Sequence, residues 1–257
     1  MLRELKHRRR DLRAANTGAH MNEGFVSQEL SSDTAELRSI APSRAFVSAA
    51  EPDVVTVTVK RCMDIIGASL LLVVLSPVLL ILSLLIRGGS SEPVLFAQPR
   101  VGRHGRPFKC YKFRTMIVGA DQVLQDLLNA DDRLRTEWEI SQKLRRDPRV
   151  TRIGNILRRS SLDELPQLFN VLIGDMSLVG PRPVLPEQVI YYGRSARWYY
   201  AMRPGMTGLW QVMARGNKDF RRRVALDCFY VRHVSLRMDF VILLKTIGVV
   251  VSGRGAY

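Results

Sequence analysis

The chain has 257 residues and a formal charge of +15, with 39 Lys and Arg residues against 24 Asp and Glu residues. Apolar residues make up 46 % of it and charged residues 25 %, a balance that excludes wholesale disorder. The three cysteines form no CxxC pair and the four histidines match no zinc-binding spacing, so the sequence suggests neither a disulfide framework nor a zinc site. A carboxylate site for a hard cation stays open.

Residues 1–53 carry no sustained apolar period and are rich in Arg, Ala, Ser, Glu and Asp, which predicts a disordered basic tail. A cluster of basic residues between Arg3 and Arg13 opens this tail. No apolar segment of the signal-peptide kind follows it, so we expect the tail to be retained. Its charge suits either anionic lipid head groups or nucleic acid, and the next segment decides between them.

Residues 65–86 form a run of 22 residues without a charge, of which 16 are Leu, Ile or Val. On insertion scales these aliphatic side chains contribute about −7 kcal/mol toward membrane entry. A buried core helix is the alternative, but helices of globular proteins normally carry a polar face. The run therefore predicts a membrane segment.

The sequence Ser76-Pro77 divides this run. Proline cannot donate to the carbonyl of Val73, so we expect the helix to kink or break there, with Ser76 partly satisfying the freed carbonyls. The two limbs, about 18 and 15 Å long, are each roughly half of the ~30 Å hydrocarbon core, which favours a re-entrant hairpin. Basic residues on both sides favour a cytoplasmic location for both ends, and a kinked single span is the alternative. These flanking residues are Lys60, Arg61 and Arg87.

The sequence after the apolar run predicts an α+β, mostly helical cytoplasmic domain. Short apolar segments in 94–116 flank a Gly-rich turn and predict a small, basic β-hairpin. Helices are predicted at 120–128, at 132–143 and at 186–202. The segment 240–251 is apolar but interrupted by Lys245, too short to span a bilayer and suited to lying in its interface.

Two sets of side chains have a predicted position on these helices. One forms a helical face at i, i+3, i+4 and i+7: Leu165, Leu168, Phe169 and Leu172. The other is aromatic and suits a membrane–water boundary or a protein core equally well: Tyr191, Tyr192, Trp198, Tyr199 and Tyr200.

The densest chemical signal is the adjacent pair Asp163 and Glu164. Pro166 is tolerated only near the start of a helix, so both carboxylates lie in or just before its first turn. A capping box, with Ser161 as the N-cap and Glu164 three residues on, is the structural alternative.

The charge around this pair favours a chemical role. Six arginines lie between positions 145 and 159, and Arg182 follows on a stiff Gly-Pro-Arg-Pro turn. Such arginines suit bidentate phosphate binding. Carboxylates among them are explained by a covalent role or by Mg²⁺ that bridges a carboxylate and a diphosphate.

Five separated motifs together resemble the bacterial sugar transferase family, the monotopic polyprenyl-phosphate hexose-1-phosphate transferases that begin exopolysaccharide assembly. The resemblance extends over residues 56–257 and leaves the tail uncovered. The motifs are Lys60-Arg61 with Asp64 ahead of the Pro-interrupted run, YKFRTM (111–116), SLDELPQ (161–167), GDMSLVGPRP (174–183) and RPGMTG (203–208).

The resemblance implies a reaction. A UDP-hexose, with galactose or glucose favoured, donates hexose 1-phosphate to undecaprenyl or another polyprenyl phosphate, and UMP is released. A covalent aspartyl phosphosugar is the implied intermediate, Mg²⁺ or Mn²⁺ the implied cofactor, and the cytoplasmic face of the cell inner membrane the implied location. The sequence leaves the identity of the hexose and the oligomeric state open, a homo-oligomer included.

The resemblance also assigns roles to residues. Asp163 matches the nucleophile and metal ligand, and Glu164 matches its dyad partner. Ser76 and Pro77 match the break of the membrane helix. The residues matched to phosphate binding are Arg158, Arg182 and, more loosely, Arg215, with Lys112 and Arg114 as further candidates.

The resulting layout has three parts: a tail at 1–53, a re-entrant membrane helix with its flanks at 54–90, and a phosphoglycosyl transferase domain at 91–257. Two other functions compete with it. A membrane-tethered nucleic-acid binder explains the charge, but no aromatic-basic nucleic-acid module is present, so we expect no nucleic-acid partner. A non-catalytic membrane scaffold of polysaccharide assembly explains the anchor but leaves the carboxylate–arginine constellation without a role.

Overall fold

The computed structural model describes residues 52–89, 92–141, 144–214 and 219–252, without the side chains of 140, 141, 251 and 252. The first element, helix α1, runs over Val54–Gly88. Asp53 caps its N-terminus by accepting a hydrogen bond of 3.1 Å from the backbone N–H of Thr56. The helix is long and apolar enough to cross a membrane. All of the predicted tail except its last two residues lies outside the described part of the chain.

Helix α1 continues through Pro77, so the predicted break is not confirmed. The hydroxyl of Ser76 donates a hydrogen bond of 2.8 Å to the carbonyl of Val73, the group that proline leaves without its helical donor. This bond confirms the role expected of Ser76. It also gives the physical reason that the helix can continue, because the proline costs one backbone bond and the serine replaces it. The re-entrant topology stays a prediction.

One face of α1 packs against the rest of the domain along most of its length. Ala68 is fully buried, and Leu72 and Leu75 pack beside it on a cluster that includes Leu168 and Val171. Further along the helix, Leu79, Leu82 and Ile86 pack with Phe113 and Leu157. The opposite face leaves many Leu, Ile and Val side chains exposed. Helix α1 therefore contributes both exposed apolar side chains and side chains that pack in the core.

The predicted hairpin is present as strands β1 (Leu95–Val101) and β2 (Pro107–Phe113), paired antiparallel with Leu95 opposite Phe113. A short 3₁₀ turn joins them, with His104 in the left-handed region at φ 58°. At the turn end, the backbone N–H of Val101 donates to the carbonyl of Val184 over 3.1 Å. The hairpin is thus tied to the loop that carries Arg182.

The remaining elements follow in chain order. Helices α2 and α3 confirm two predicted segments, although residues 142 and 143 at the predicted end of α3 lie outside the described residues. The bounds are α2 Ala120–Ala130, α3 Asp132–Ser141, α4 Arg152–Ser160, α5 Gln167–Ile173, β3 Ser177–Val179, α6 Ala196–Ala201, β4 Gly205–Thr207, α7 Leu209–Met213, α8 Phe220–Arg232 and α9 Leu236–Ser252.

Strands β3 and β4 form a short parallel pair that fixes the next loop. Ser177 lies opposite Gly205 and Val179 opposite Thr207. Immediately after β3, the N–H of Gly180 donates to the carbonyl of Thr207 over 2.9 Å. A Cβ at position 180 would lie 2.6 Å from the carbonyl oxygen of Arg203, so glycine is required for this close approach.

Two of the predicted helices differ in the structure. The segment at 186–202 is a 3₁₀ helix over Pro186–Ser195 followed by α6, because Gly193 adopts a non-helical conformation at φ 49°. The predicted apolar face around Leu168 starts only at Gln167, and Phe169 on it is 48 % exposed. Leu168 is buried and Leu165 and Leu172 pack partly buried against the core, so three of the four predicted positions face inward and Phe169 does not.

Three of the five aromatic side chains lie in the core, and a fourth is exposed. Tyr192, Tyr199 and Tyr200 are buried in one core cluster, whereas Tyr191 is 66 % exposed. The C-terminal helix α9 buries Ile242 and leaves apolar side chains uncovered on its other face, and its location in a membrane interface stays a prediction. The exposed side chains on α9 are Phe240, Val241, Leu244, Ile247 and Val250.

A buried ion pair joins the first turns of α1 to α9. The ammonium of Lys60 lies 2.6 Å from Asp239, and both side chains are about 95 % buried. The hydroxyl of Tyr230 donates to the other oxygen of Asp239 over 2.6 Å. The sequence predicts Lys60 to be a flanking charge that favours the cytoplasm. In the structure Lys60 is instead buried in this ion pair.

We expect Leu168→Ala to lower the free energy of unfolding by about 2–5 kcal/mol, since it removes a side chain that is 1 % exposed between α5 and α1. The neighbouring Phe169→Ala, which trims a half-exposed side chain, is the matched control and should cost about 1 kcal/mol or less. Thermal unfolding in a neutral detergent, followed by circular dichroism, measures both. Equal losses in the two variants would contradict the packing of α5 against α1.

Candidate active site

Asp163 and Glu164 lie in a 3₁₀ turn, Leu162–Glu164, between α4 and α5. Helix α4 ends at Ser160, and the next residue, Ser161, adopts the left-handed conformation at φ 59° and redirects the chain. Pro166 directly precedes α5, so the predicted position of the carboxylates at a helix start is confirmed. Ser161 makes no side-chain capping bond to this turn, and the capping-box alternative is therefore wrong. The left-handed backbone at Ser161 differs from the extended backbone that an N-cap needs.

Glu164 brings two cations together. Its Oε1 accepts a hydrogen bond of 2.7 Å from the ammonium of Lys112 and one of 3.2 Å from the guanidinium of Arg182. Burial alone would raise the pKa of Glu164, but Arg182 and Lys112 outweigh it and hold that pKa well below its ordinary value. Glu164 therefore stays ionised. Its Oε1 binds both Lys112 on strand β2 and Arg182 in the loop.

Asp163 has a different environment, although it is adjacent in sequence. The residue is 9 % exposed, and the nearest cation, the ammonium of Lys112, lies 4.0 Å from its Oδ2, outside hydrogen-bond distance. Burial raises the pKa of Asp163 and the charge of Glu164 adds to this, against the opposing effects of Lys112, Arg158 and Arg182. The result is a desolvated carboxylate facing cations that do not neutralise it by direct contact.

The predicted phosphate-binding residues divide into three groups. The structure brings Lys112, Arg158 and Arg182 to the carboxylates; Arg158 is held by a hydrogen bond of 2.9 Å from its Nε to the hydroxyl of Thr115. Arg114 is not brought there, because its guanidinium pairs with Glu92 at 3.6 Å. Arg215 lies outside the described residues.

A small, open cavity lies beside Glu164 and contains an arginine that the sequence did not single out. Arg100 on β1 points into it and donates to the carbonyl of Pro183 over 3.3 Å and to Gln98 over 2.7 Å. Burial lowers the pKa of Arg100, and the nearby charge of Arg182 lowers it further. The feature of the sequence that could have indicated Arg100 is the excess of positive charge on the hairpin. The cavity is lined by Arg100, Cys110, Lys112, Glu164, Gln167, Arg182 and Pro183.

Arg182 is held from behind by a second arginine that the sequence analysis also missed. Arg223 on α8 donates from Nη2 to the backbone carbonyl of Arg182 over 2.8 Å. Arg223 lies next to Asp227, which accepts a hydrogen bond of 2.6 Å from the hydroxyl of Tyr192. Burial raises the pKa of Asp227 to about 6 despite the charge of Arg223. This buried set fixes the loop from which Arg182 reaches Glu164.

The site offers little to a metal ion by itself. Among the described residues, no group of three or more His, Cys, Asp or Glu side chains is placed to hold one. The carboxylate of Asp163 is available as a ligand, whereas Oε1 of Glu164 already binds two cationic side chains. This donor set fits Mg²⁺, which binds through one or two carboxylates and completes its shell with water and substrate phosphate.

Gly154 on α4 packs directly on Thr115, the residue that also holds Arg158. A Cβ at position 154 would overlap the backbone carbonyl of Thr115, so α4 would have to move. We expect Gly154→Ala to destabilise the protein by about 1–3 kcal/mol. Gly248→Ala on α9, where nothing lies within 4 Å of a Cβ, is the control and should be neutral or slightly stabilising. Thermal midpoints of the two variants measure this, and equal midpoints would contradict the close approach of α4.

The model of the bacterial sugar transferase family matches residues 55–253. The chain is 47 % identical to the UDP-galactose-lipid carrier transferase of Erwinia amylovora and 46 % identical to the undecaprenyl-phosphate galactose phosphotransferase of Salmonella typhimurium, each over 77 % of this chain and 41 % of the relative. It is 43 % identical to the exopolysaccharide production protein ExoY of Sinorhizobium fredii, over 77 % of this chain and 88 % of that protein.

The chain thus spans about two fifths of the length of the Erwinia and Salmonella relatives and most of the Sinorhizobium one. The matched residues include α1, the hairpin, the 3₁₀ turn with Asp163 and Glu164, and the loop with Arg182. The chain belongs to the bacterial sugar transferase family.

Proposed function

We propose that the chain transfers hexose 1-phosphate from a UDP-hexose to polyprenyl phosphate, in the first membrane step of exopolysaccharide biosynthesis. The products are polyprenyl-diphosphate-hexose and UMP. The names of the Erwinia and Salmonella relatives, which refer to UDP-galactose and to undecaprenyl phosphate, support this substrate class. The observation that carries the proposal is the desolvated carboxylate of Asp163 facing Lys112, Arg158 and Arg182.

The charges of the site suit a diphosphate. Lys112, Arg100 and Arg182 line one cavity, and the charge of Arg158 also acts on Asp163. Phosphoryl transfer depends on neutralising and positioning the phosphate oxygens more than on acid–base groups. Glu164 contributes by holding Lys112 and Arg182 at hydrogen-bond distance from one carboxylate oxygen, so that both cations are in place before the substrate arrives.

In the first step a carboxylate oxygen of Asp163 attacks the sugar-bearing β-phosphorus of UDP-hexose. The bond between that phosphorus and the oxygen bridging to the α-phosphorus breaks, and UMP leaves with the bridging oxygen. A mixed anhydride remains, in which the hexose phosphate is bound to the carboxylate. A carboxylate that forms no hydrogen bond within the described part of the chain has few interactions to lose in this attack.

In the second step a phosphate oxygen of polyprenyl phosphate attacks the same phosphorus. The bond from phosphorus to Asp163 breaks, which restores the carboxylate and releases polyprenyl-diphosphate-hexose. No net proton is gained or lost by the protein over the two steps, so no general base is required. Asp163 would also hold Mg²⁺ or Mn²⁺ together with substrate oxygens, and the cation would neutralise phosphate charge.

The apolar surfaces support a membrane location for this chemistry. The outer face of α1 and the exposed face of α9 are both apolar, which suits a protein bound to lipid. The donor is soluble and the acceptor is a membrane lipid, so a site on the cytoplasmic face of the inner membrane meets both.

We expect Asp163→Asn to abolish both steps, because the amide keeps the shape of the side chain but is not a nucleophile. Incubation with radiolabelled UDP-hexose and no acceptor, followed by denaturation and peptide mapping, should place the label on Asp163 and release UMP. Asp126→Asn, an exposed position on α2, is the control and should keep full turnover. Undiminished turnover in Asp163→Asn would refute the covalent scheme, and absence of UMP release from every UDP-hexose and lipid acceptor would favour the scaffold alternative.

We also expect activity to disappear when divalent cations are removed. A diphosphate donor and the carboxylate of Asp163 carry like charges, and Arg182 and Lys112 are partly engaged by Glu164. UMP release is measured in excess chelator and after addition of Mg²⁺ or Mn²⁺. Recovery with either cation supports the proposal, and full activity in excess chelator contradicts it.

A further inference from the structure

Thr115 lies two residues after β2 and contacts an arginine of the candidate active site. The Nε of Arg158 donates a hydrogen bond of 2.9 Å to the hydroxyl of Thr115, 43 positions earlier in the chain. Thr115 is only 7 % exposed, so water has little access to its hydroxyl. The sequence assigned no role to Thr115, although the residue belongs to the motif YKFRTM (111–116).

Several contacts fix the position of Thr115. Its carbonyl accepts hydrogen bonds from the backbone N–H of Thr151 over 3.0 Å and from the hydroxyl of Thr151 over 3.4 Å. The next residue, Met116, forms an antiparallel bridge with Val150. Gly154 on α4 approaches so closely that a Cβ there would overlap the Thr115 carbonyl. The threonine is therefore fixed relative to α4, the helix that carries the arginine.

The hydrogen bond leaves most of the guanidinium group available to a ligand. The terminal nitrogens of Arg158 form no hydrogen bond or ion pair with the residues that the structure describes. A guanidinium group bound through Nε keeps both terminal nitrogens, which form a planar fork that matches two phosphate oxygens. The acceptor, Thr115, is a neutral hydroxyl, so it does not cancel the charge of Arg158.

Two carboxylates act on the charge of Arg158. Burial lowers its pKa, and the charges of Asp163 and Asp147 oppose this effect. Asp147 is bound by Arg149, whose Nε and Nη2 donate to it over 2.8 and 2.7 Å. Asp163, the nucleophile of the proposed reaction, is not hydrogen-bonded to Arg158. The guanidinium group of Arg158 therefore interacts with the reacting carboxylate without being neutralised by direct contact.

We propose that Thr115 is a positioning residue of the active site, whose hydroxyl orients Arg158 for binding a phosphate group of the donor. The proposal rests on the proposed function, in which a UDP-hexose is the donor. Thr115 acts through Arg158 and does not contact the substrate itself. The segment 112–115 then supplies one cation of the site, Lys112, and orients a second. An arginine fixed before the substrate arrives loses less side-chain entropy on binding, which favours the bound state.

Kinetics of UMP release from UDP-hexose, with polyprenyl phosphate as acceptor, test this role. Thr115→Val keeps the shape of the side chain but removes the acceptor of the Arg158 Nε–H, and we expect kcat/KM for UDP-hexose to fall about tenfold or more. Thr115→Ser retains the hydroxyl and should recover most of that loss. Undiminished kcat/KM in Thr115→Val, or an equal loss in Thr115→Ser, would overturn the proposal.

Stability is measured alongside, because a buried threonine also contributes to packing. Thermal midpoints of the same variants show whether each is folded at the assay temperature. Thr136→Val on α3 makes the same chemical change at an exposed threonine, whose hydroxyl donates to the carbonyl of Asp132, and should keep full activity. If Thr115→Val does not fold, Thr115→Ala, which also lacks the hydroxyl, is compared with Thr115→Ser instead.

Binding measurements locate the effect at Arg158. UDP-hexose is titrated into Asp163→Asn protein, in which the proposed mechanism allows no turnover, in a neutral detergent with Mg²⁺. Thr115→Val and Arg158→Gln should each weaken binding about tenfold, and the two together should weaken it no more than Arg158→Gln alone. Losses that add would show that Thr115 acts independently of Arg158, and the proposal would then be wrong.

The unaltered chain separates a failure of this proposal from a failure of the proposed function. If it neither binds UDP-hexose nor releases UMP, the transferase function itself is contradicted. If it does both, and Thr115→Val binds and turns over equally well, the function stands and only the role of Thr115 is rejected.

Discussion

The shared hydrogen bonds of Glu164 hold the site together. One carboxylate oxygen accepts from Lys112 on β2 and from Arg182 on the loop after β3, so three segments far apart in the chain converge on one atom. Each cation alone at this half-buried place would be poorly solvated, and the carboxylate alone would be protonated more readily. The rest of the local structure serves this convergence, because Gly180 brings the loop close to β4 and Arg223 holds the backbone of Arg182.

The two adjacent carboxylates have opposite pKa shifts because their surroundings differ. The pKa of Glu164 is lowered because Arg182 and Lys112 outweigh the effect of burial, whereas the pKa of Asp163 is raised because burial prevails. Pairs of titratable groups with opposite shifts are typical of sites in which one group organises charge and the other reacts. A left-handed residue, Ser161, sets up this difference by turning the chain so that the two side chains meet different partners.

Local patterns predicted much of the fold and the centre of the site. The apolar run, the hairpin with its Gly-rich turn, and the carboxylate pair ahead of Pro166 all follow from spacing within about 20 residues. The remaining features depend on contacts between distant segments. Arg100 on β1 donates to the carbonyl of Pro183, which lies 83 positions later in the chain. The buried Lys60 is paired with Asp239, which lies 179 positions later. Likewise, the sequence predicts that Ser76 bonds to the freed carbonyl but does not predict that helix α1 continues through Pro77.

The packing of α1 bears on how the protein can be produced and handled. Ala68 and its neighbours on α1 cover Leu168, Val171 and Met176, three of the most deeply buried side chains of the domain, and Lys60 supplies the partner of a buried aspartate. A shortened chain that begins after this helix would expose that apolar surface to water and strand the charge of Asp239. Trimming helix α1 is therefore not a route to a well-behaved soluble protein, and detergents or lipid particles that keep the helix in place are the appropriate setting for crystallisation and solution measurements.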